Sequence, residues 1–168
     1  RLWVFDGGTQ LIGTDAHSGR FCLSIPSDGG ATTKEVPCKP NTAYMVKAWV
    51  KPQGATSIVV TTQDSDTYAN SNDTTIALQG TDWTQISVPI AAHDPQNGAD
   101  FFATVKFLPK GGGTVLLDDV QVLDGVTGAD TFETGDFERH VEYSQRQSWL
   151  LDQVVDVRNV GRMPVVSN

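Results

Sequence analysis

Segments that alternate between apolar and polar side chains, separated by turn residues, are the feature that most constrains the fold of this chain. Residues 43–51 place every second side chain on an apolar face, and residues 57–63 alternate in the same way after a Pro-Gln-Gly turn. Similar segments follow at strand spacing, at 83–90, 101–108 and 114–123. With no helical stretch between them, they predict an all-β fold, an antiparallel β-sandwich.

Composition supports this fold and excludes several partners. The chain has 19 Val and 18 Thr, which favour strands, and 16 Asp against 4 Glu, a ratio that favours turns over helices. Its net charge of −8 argues against nucleic acid and against an anionic membrane surface, since both require clustered Lys and Arg. No apolar run is long enough to span a bilayer.

The chain changes character between residues 125 and 136. All six Lys lie at or before Lys110, four of the six Arg follow position 138, and no Thr follows Thr134. We therefore expect a β domain at 1–125 and, at 126–168, a linker, a docking arm or the start of a following module.

Two cysteines, Cys22 and Cys38, leave two alternatives open. One disulfide suits a secreted protein and is favoured by the spacing, whereas two buried thiols fit the composition equally. We expect an extracellular protein.

Recognisable catalytic signatures are absent from the sequence. It contains no G-x-S-x-G, H-E-x-x-H or C-x-x-C segment. The many aspartates are typical of solvated turns, and a glycosidase would need a specific acid pair that the sequence does not single out. We therefore expect a protein that is not an enzyme.

The pair Asp118-Asp119 interrupts the most apolar segment. Strict alternation puts Asp118 on the core face together with Leu116 and Val120. A carboxylate there must be neutralised by a cation such as calcium or by backbone amides, and both remain open.

Trp49 lies among polar neighbours on its strand face, next to Lys47 and Lys51. An indole in such a setting can stack on a sugar ring while polar neighbours bind its hydroxyl groups. If the strands run side by side, Thr61, Gln63, Phe102 and Lys106 share this surface, and three lysines on it would favour an acidic polysaccharide. The alternative is that residues 136–168 or another chain cover the face.

Four segments then appear in an order that resembles a known family: residues 14–23 with His-Ser-Gly, 40–51, 81–84, and 117–120 with Leu-Asp-Asp-Val. They resemble the jelly-roll carbohydrate-binding modules of the galactose-binding-like superfamily, of the xylan- and glucan-binding type. The resemblance implies a jelly-roll sandwich with a concave sheet face that grips a polysaccharide.

The resemblance also implies a structural calcium ion. Its ligands would be Asp118, Asp15 with the 17–19 turn, and a Glu of a first strand that is missing before Arg1. Residues 131–137 resemble that missing strand, so Glu133 takes the place of this Glu. Four alternatives remain open. The first strand is lost, or residues 131–137 complete the sheet in the same chain, or they complete the sheet of a neighbouring copy, or they begin a further module.

The sequence thus predicts a non-catalytic module that binds a polysaccharide and targets an attached enzyme or particle. The predicted binding residues are Trp49, Thr61, Gln63, Tyr68, Lys106 and Trp3. The alternative is a structural or adhesive module of a larger assembly, such as a virion tail, a decoration protein or a filament, whose residues 131–168 contact other modules or neighbouring subunits.

Overall fold

Two antiparallel sheets packed face to face form the protein, as a computed structural model shows. The structure describes residues 3–64, 71–93, 98–132 and 137–138. All the named secondary-structure elements of these residues are β-strands, and the predicted all-β sandwich is confirmed. Tyr68, Glu133 and nearly all of 133–168 lie outside the described residues.

Eleven strands make up the described part of the chain. They are β1 (Trp3–Asp6), β2 (Gln10–Ile12), β3 (Cys22–Ile25), β4 (Gly30–Thr33), β5 (Val36–Cys38), β6 (Tyr44–Gln53), β7 (Ser57–Asp64), β8 (Ser71–Ala77), β9 (Thr84–Ile90), β10 (Phe101–Lys110) and β11 (Thr114–Asp124).

We call the two layers the front sheet and the back sheet. The front sheet has the order β1-β4-β10-β7-β8, and β5 also pairs with β10. The back sheet has the order β2-β3-β11-β6-β9. The consecutive strands β6 and β7 therefore lie in different sheets. The chain crosses between the two layers at Gly54, whose φ of +91° favours glycine.

The core lies between the sheets and is built from every second residue of the long strands. On β10 the inward side chains are Phe101, Ala103, Val105 and Phe107, all buried. Their burial removes large aromatic and β-branched surfaces from water, which is the main term that stabilises the sandwich.

The core extends past residue 125, beyond the predicted domain boundary. The Trp3 indole is 3% exposed and belongs to the core, and its ring centroid lies 5.4 Å from that of Phe132 and 5.2 Å from that of Phe137. Both phenylalanines are buried and belong to the same chain as Trp3, so residues of the 131–137 segment pack into the core of their own chain. Trp3 therefore packs in the core, and the expectation that it flanks a binding cleft is wrong.

A β-bulge in β11 changes the position predicted for Asp118. The pairing of β11 with β6 shifts register between Asp118 and Gln121, and Asp119 has a φ of +46° at the bulge. Leu117 and Val120 point into the core, whereas Asp118 lies opposite Trp49 on the outer side of the back sheet. The prediction of Asp118 on the core face is wrong because strict alternation ends at the bulge.

The two cysteines are free thiols, and the favoured disulfide is wrong. Cys22 lies on β3 of the back sheet and Cys38 on β5 of the front sheet. Burial, with nearby carboxylates, raises the pKa of each thiol to about 12. No helix among the described residues is long and apolar enough to cross a membrane.

Candidate functional site

The outer side of the front sheet carries a continuous row of side chains across five strands, and we call this side the front face. Lys106 of β10 pairs with Thr61 of β7 on one side and with Thr32 of β4 on the other. Val4 and Asp73 complete the row at β1 and β8. All are at least partly accessible to solvent.

Hydrogen bonds and charges order the polar groups of this row. The Thr61 hydroxyl donates to Asp73 Oδ1 at 2.6 Å. The Lys106 ammonium lies 3.8 Å from Asp6 Oδ2. A held hydroxyl, a cation and two carboxylates on an open surface can donate to and accept from the hydroxyl groups of a ligand.

An apolar platform completes the front face. Phe102 is 44% exposed and lies opposite Pro37 of β5. Gln63 lies two residues further along β7 than Thr61, on the same side of the sheet and opposite Thr104 of β10. A ring with one exposed surface beside amide and hydroxyl groups is the combination that carbohydrate binding uses.

Three of the predicted binding residues therefore share the front face, namely Thr61, Gln63 and Lys106. Trp49 is not on this face. Trp49 lies on β6 of the back sheet, so the expected common surface is wrong. Lys47 and Lys51 lie on the same strand as Trp49, so the lysines do not form one cationic face with Lys106.

Trp49 is covered by the loop at residues 13–21 that joins β2 to β3. The His17 ring stacks on the indole, with centroids 4.0 Å apart and planes 14° apart, and Trp83 packs on His17 edge-on at 5.6 Å. Within the described residues, this loop shields part of the indole from solvent. Cover by residues 136–168 or by another chain stays a prediction, because nearly all of that segment lies outside the described residues.

Asp118 and Asp119 hold this loop in place. Asp118 Oδ2 accepts the amides of His17 at 2.8 Å and Ser18 at 3.2 Å, while Asp119 accepts the Ser18 hydroxyl at 2.7 Å. The His17 Nδ1 atom lies 2.6 Å from Asp119 Oδ2. Asp118 is fully buried, and burial raises the pKa of its carboxyl to about 6.

Glu138 anchors the other end of the same loop, a role that the sequence analysis missed. Its Oε1 accepts the amides of Arg20 at 2.5 Å and Phe21 at 2.8 Å. The signal was present, because the Phe-Glu pair of 132–133 recurs at 137–138. Glu138 directly follows residues 131–137, the segment that resembles the missing strand.

Two of the three side chains predicted to bind calcium, those of Asp15 and Asp118, accept hydrogen bonds from protein donors. Both Asp15 oxygens accept from the Lys51 ammonium, at 2.7 and 2.9 Å, and Asp118 accepts N–H groups at both oxygens. Within the described part of the chain, no three acidic, His or Cys side chains come together as metal ligands. Glu133 lies outside that part, and calcium stays a prediction.

Comparisons with known proteins give the fold. No family model and no curated protein matches the sequence. Among solved structures, the CBM22-1 and GH10 modules of Clostridium thermocellum endo-1,4-β-D-xylanase 10B, in complex with xylohexaose, match with a TM-score of 0.55 and 19% identity. That match covers 76% of this chain and 27% of the xylanase chain, so this chain spans about a quarter of the xylanase structure.

Single modules match over nearly their whole length. The CBM22-2 xylan-binding domain of Paenibacillus barcinonensis Xyn10C matches with a TM-score of 0.53 and 14% identity, over 72% of this chain and 90% of that chain. The chain has the fold of a carbohydrate-binding module. A cyclase from Fischerella sp. TAU also matches, with a TM-score of 0.53, 14% identity and coverage of 73% and 84%, so this fold alone does not decide function.

Proposed function

We propose that the chain is a non-catalytic module that binds a β-linked polysaccharide on the front face and targets an attached enzyme or particle to it. The observation that carries the proposal is the exposed Phe102 ring on the same outward side of β10 as Lys106, four residues away from it, on the fold of carbohydrate-binding modules.

The charges of the front face favour a neutral polysaccharide. Lys106 is flanked by Asp6, at 3.8 Å from its ammonium, and by Asp73 across Thr61. Two carboxylates beside one ammonium repel an acidic chain, whereas they accept hydrogen bonds from neutral sugar hydroxyls. Because two matching structures are named for xylan or hold xylohexaose, xylan is the first polymer to test.

The test is a titration calorimetry panel of soluble xylan, mixed-linkage β-glucan and β-1,4-galactan, run with calcium and again with a chelator. Lys106→Ala is compared with Lys47→Ala, a matched lysine on the outer side of the back sheet. We expect the Lys106 variant to bind one polymer about 3–10-fold more weakly, the loss of one hydrogen bond, and the Lys47 variant to bind as the parent does.

Three outcomes decide the proposal. Equal binding by both lysine variants would contradict the front face as the site. Absence of binding to every polymer, in both buffers, would shift the interpretation to the structural or adhesive module. Binding that is lost only in the chelator would show that calcium holds the site together.

A further inference from the structure

A second candidate site lies at one end of the sandwich, where β7 ends, β8 begins and β10 begins. A cavity of about 260 Å³ opens there, lined by residues of both sheets. Phe101 and Ile90 contribute apolar surface. The polar lining comes from Thr62, Gln63, Asp64, Ser71, Asn72 and His93.

The cavity contains a carboxylate that is almost fully buried. Asp64 is on the inward face of β7 and its side chain is 2% exposed. Its Oδ2 atom lies 2.9 Å from His93 Nε2. A buried carboxylate is costly unless it is hydrogen-bonded, and the contact with the imidazole fixes the positions of both groups.

His93 is itself held from two sides. Its ring packs edge-on against Phe101, with centroids 5.0 Å apart and planes at 73°. Its backbone carbonyl accepts the Asn41 amide at 2.8 Å. The carboxylate and the imidazole thus lie at fixed positions in the cavity, as a binding site for a small polar ligand requires.

The size and chemistry of the cavity favour one sugar ring. Its volume is below the range of about 300–1,000 Å³ that is typical of sites for larger organic ligands, so it excludes an extended chain. Vicinal hydroxyl groups both donate and accept, which suits a carboxylate next to an imidazole and an amide, while the C–H face of the ring suits Phe101 and Ile90.

Gln63 connects this cavity to the front face. It is an outward residue of β7, opposite Thr104, and it also lines the cavity. We propose that the cavity around Asp64 and His93 binds the terminal sugar residue of a glycan whose following residues lie on the front face. This proposal rests on the proposed function and deepens it, since it assigns the module a preference for chain ends.

The experiment follows the imidazole signals of His93 by NMR while xylose, glucose, galactose or mannose is added to the full chain. We expect at least one monosaccharide to shift these signals. Asn72→Ala should weaken its binding about 3–10-fold, and Asp64→Asn about 10–100-fold, as expected for one neutral and one charged hydrogen bond.

Two variants guard against loss of folding. Asn72 is exposed on edge strand β8, so its replacement does not disturb the core. Gln85→Ala is the matched control, an exposed amide on edge strand β9 of the back sheet, and should bind as the parent does.

The outcomes separate this proposal from the proposed function. If Lys106→Ala weakens polysaccharide binding but none of the four monosaccharides shifts the His93 signals, the cavity does not bind a sugar and the front face remains the binding site. A His93 shift that Asn72→Ala weakens, with no polysaccharide bound, would support the cavity and overturn the front face.

Discussion

Phe137 gives the sharpest test of how the chain completes its core. Its side chain is fully buried, and its ring centroid lies 5.2 Å from that of Trp3. Truncation to alanine removes a whole ring from a packed site and leaves a cavity, which costs about 3–5 kcal/mol. For a domain of this size, that loss corresponds to a fall in Tm of roughly 6–20 °C.

Urea denaturation of Phe137→Ala measures this cost directly. The control is Val126→Ala in the same part of the chain, because Val126 is 82% exposed and its truncation should change stability by less than about 0.5 kcal/mol. If Phe137→Ala costs less than about 1 kcal/mol, the segment does not complete the core in cis, and the packing described around Trp3 is wrong.

Three further predictions concern the back sheet and the thiols. Burial raises the pKa of the folded Asp118 carboxyl from 3.8 to about 6, so the folded chain binds this proton more tightly than the unfolded chain does. The free energy of unfolding should therefore fall by about 2 kcal/mol from pH 4 to pH 7, and Asp118→Asn should lack this fall in urea denaturation at each pH. Trp49→Ala should lower Tm, because it removes the surface on which His17 stacks, and it should change the glycan affinity by no more than about twofold. A loss of glycan affinity at unchanged Tm would instead show that Trp49 belongs to the binding site. Cys22 and Cys38 should react with a thiol reagent at pH 8 only after unfolding, with two thiols counted per chain, and rapid reaction in the folded state would contradict their burial.

The sequence predicts the strands well because alternation is a local property. Residues 43–51 and 57–63 become β6 and β7, with the predicted inward and outward sides. Alternation does not say which sheet a strand joins, and the crossing at Gly54 separates Trp49 from Thr61 and Gln63. The sequence therefore predicts that the residues of β7 and β10 share one face, but it does not predict that Trp49 lies on the other sheet.

The remaining features depend on long-range contacts that no local pattern encodes. The bulge after Asp118 turns its carboxylate from the core towards the loop at 13–21, about a hundred residues away in sequence. Likewise, Asp64 meets His93 because β7 and the end of β9 converge at one end of the sandwich. Such pairs follow from the packing of the two sheets.

NMR mapping of the bound glycan on the folded chain distinguishes the front face from the back sheet as the binding surface. Backbone amide shifts are recorded while a short soluble oligomer of the polysaccharide selected by the panel is added. We expect the shifts to concentrate on the front face, at Thr61, Phe102 and Lys106. Shifts concentrated instead around His17 and Trp49 on the back sheet would contradict it.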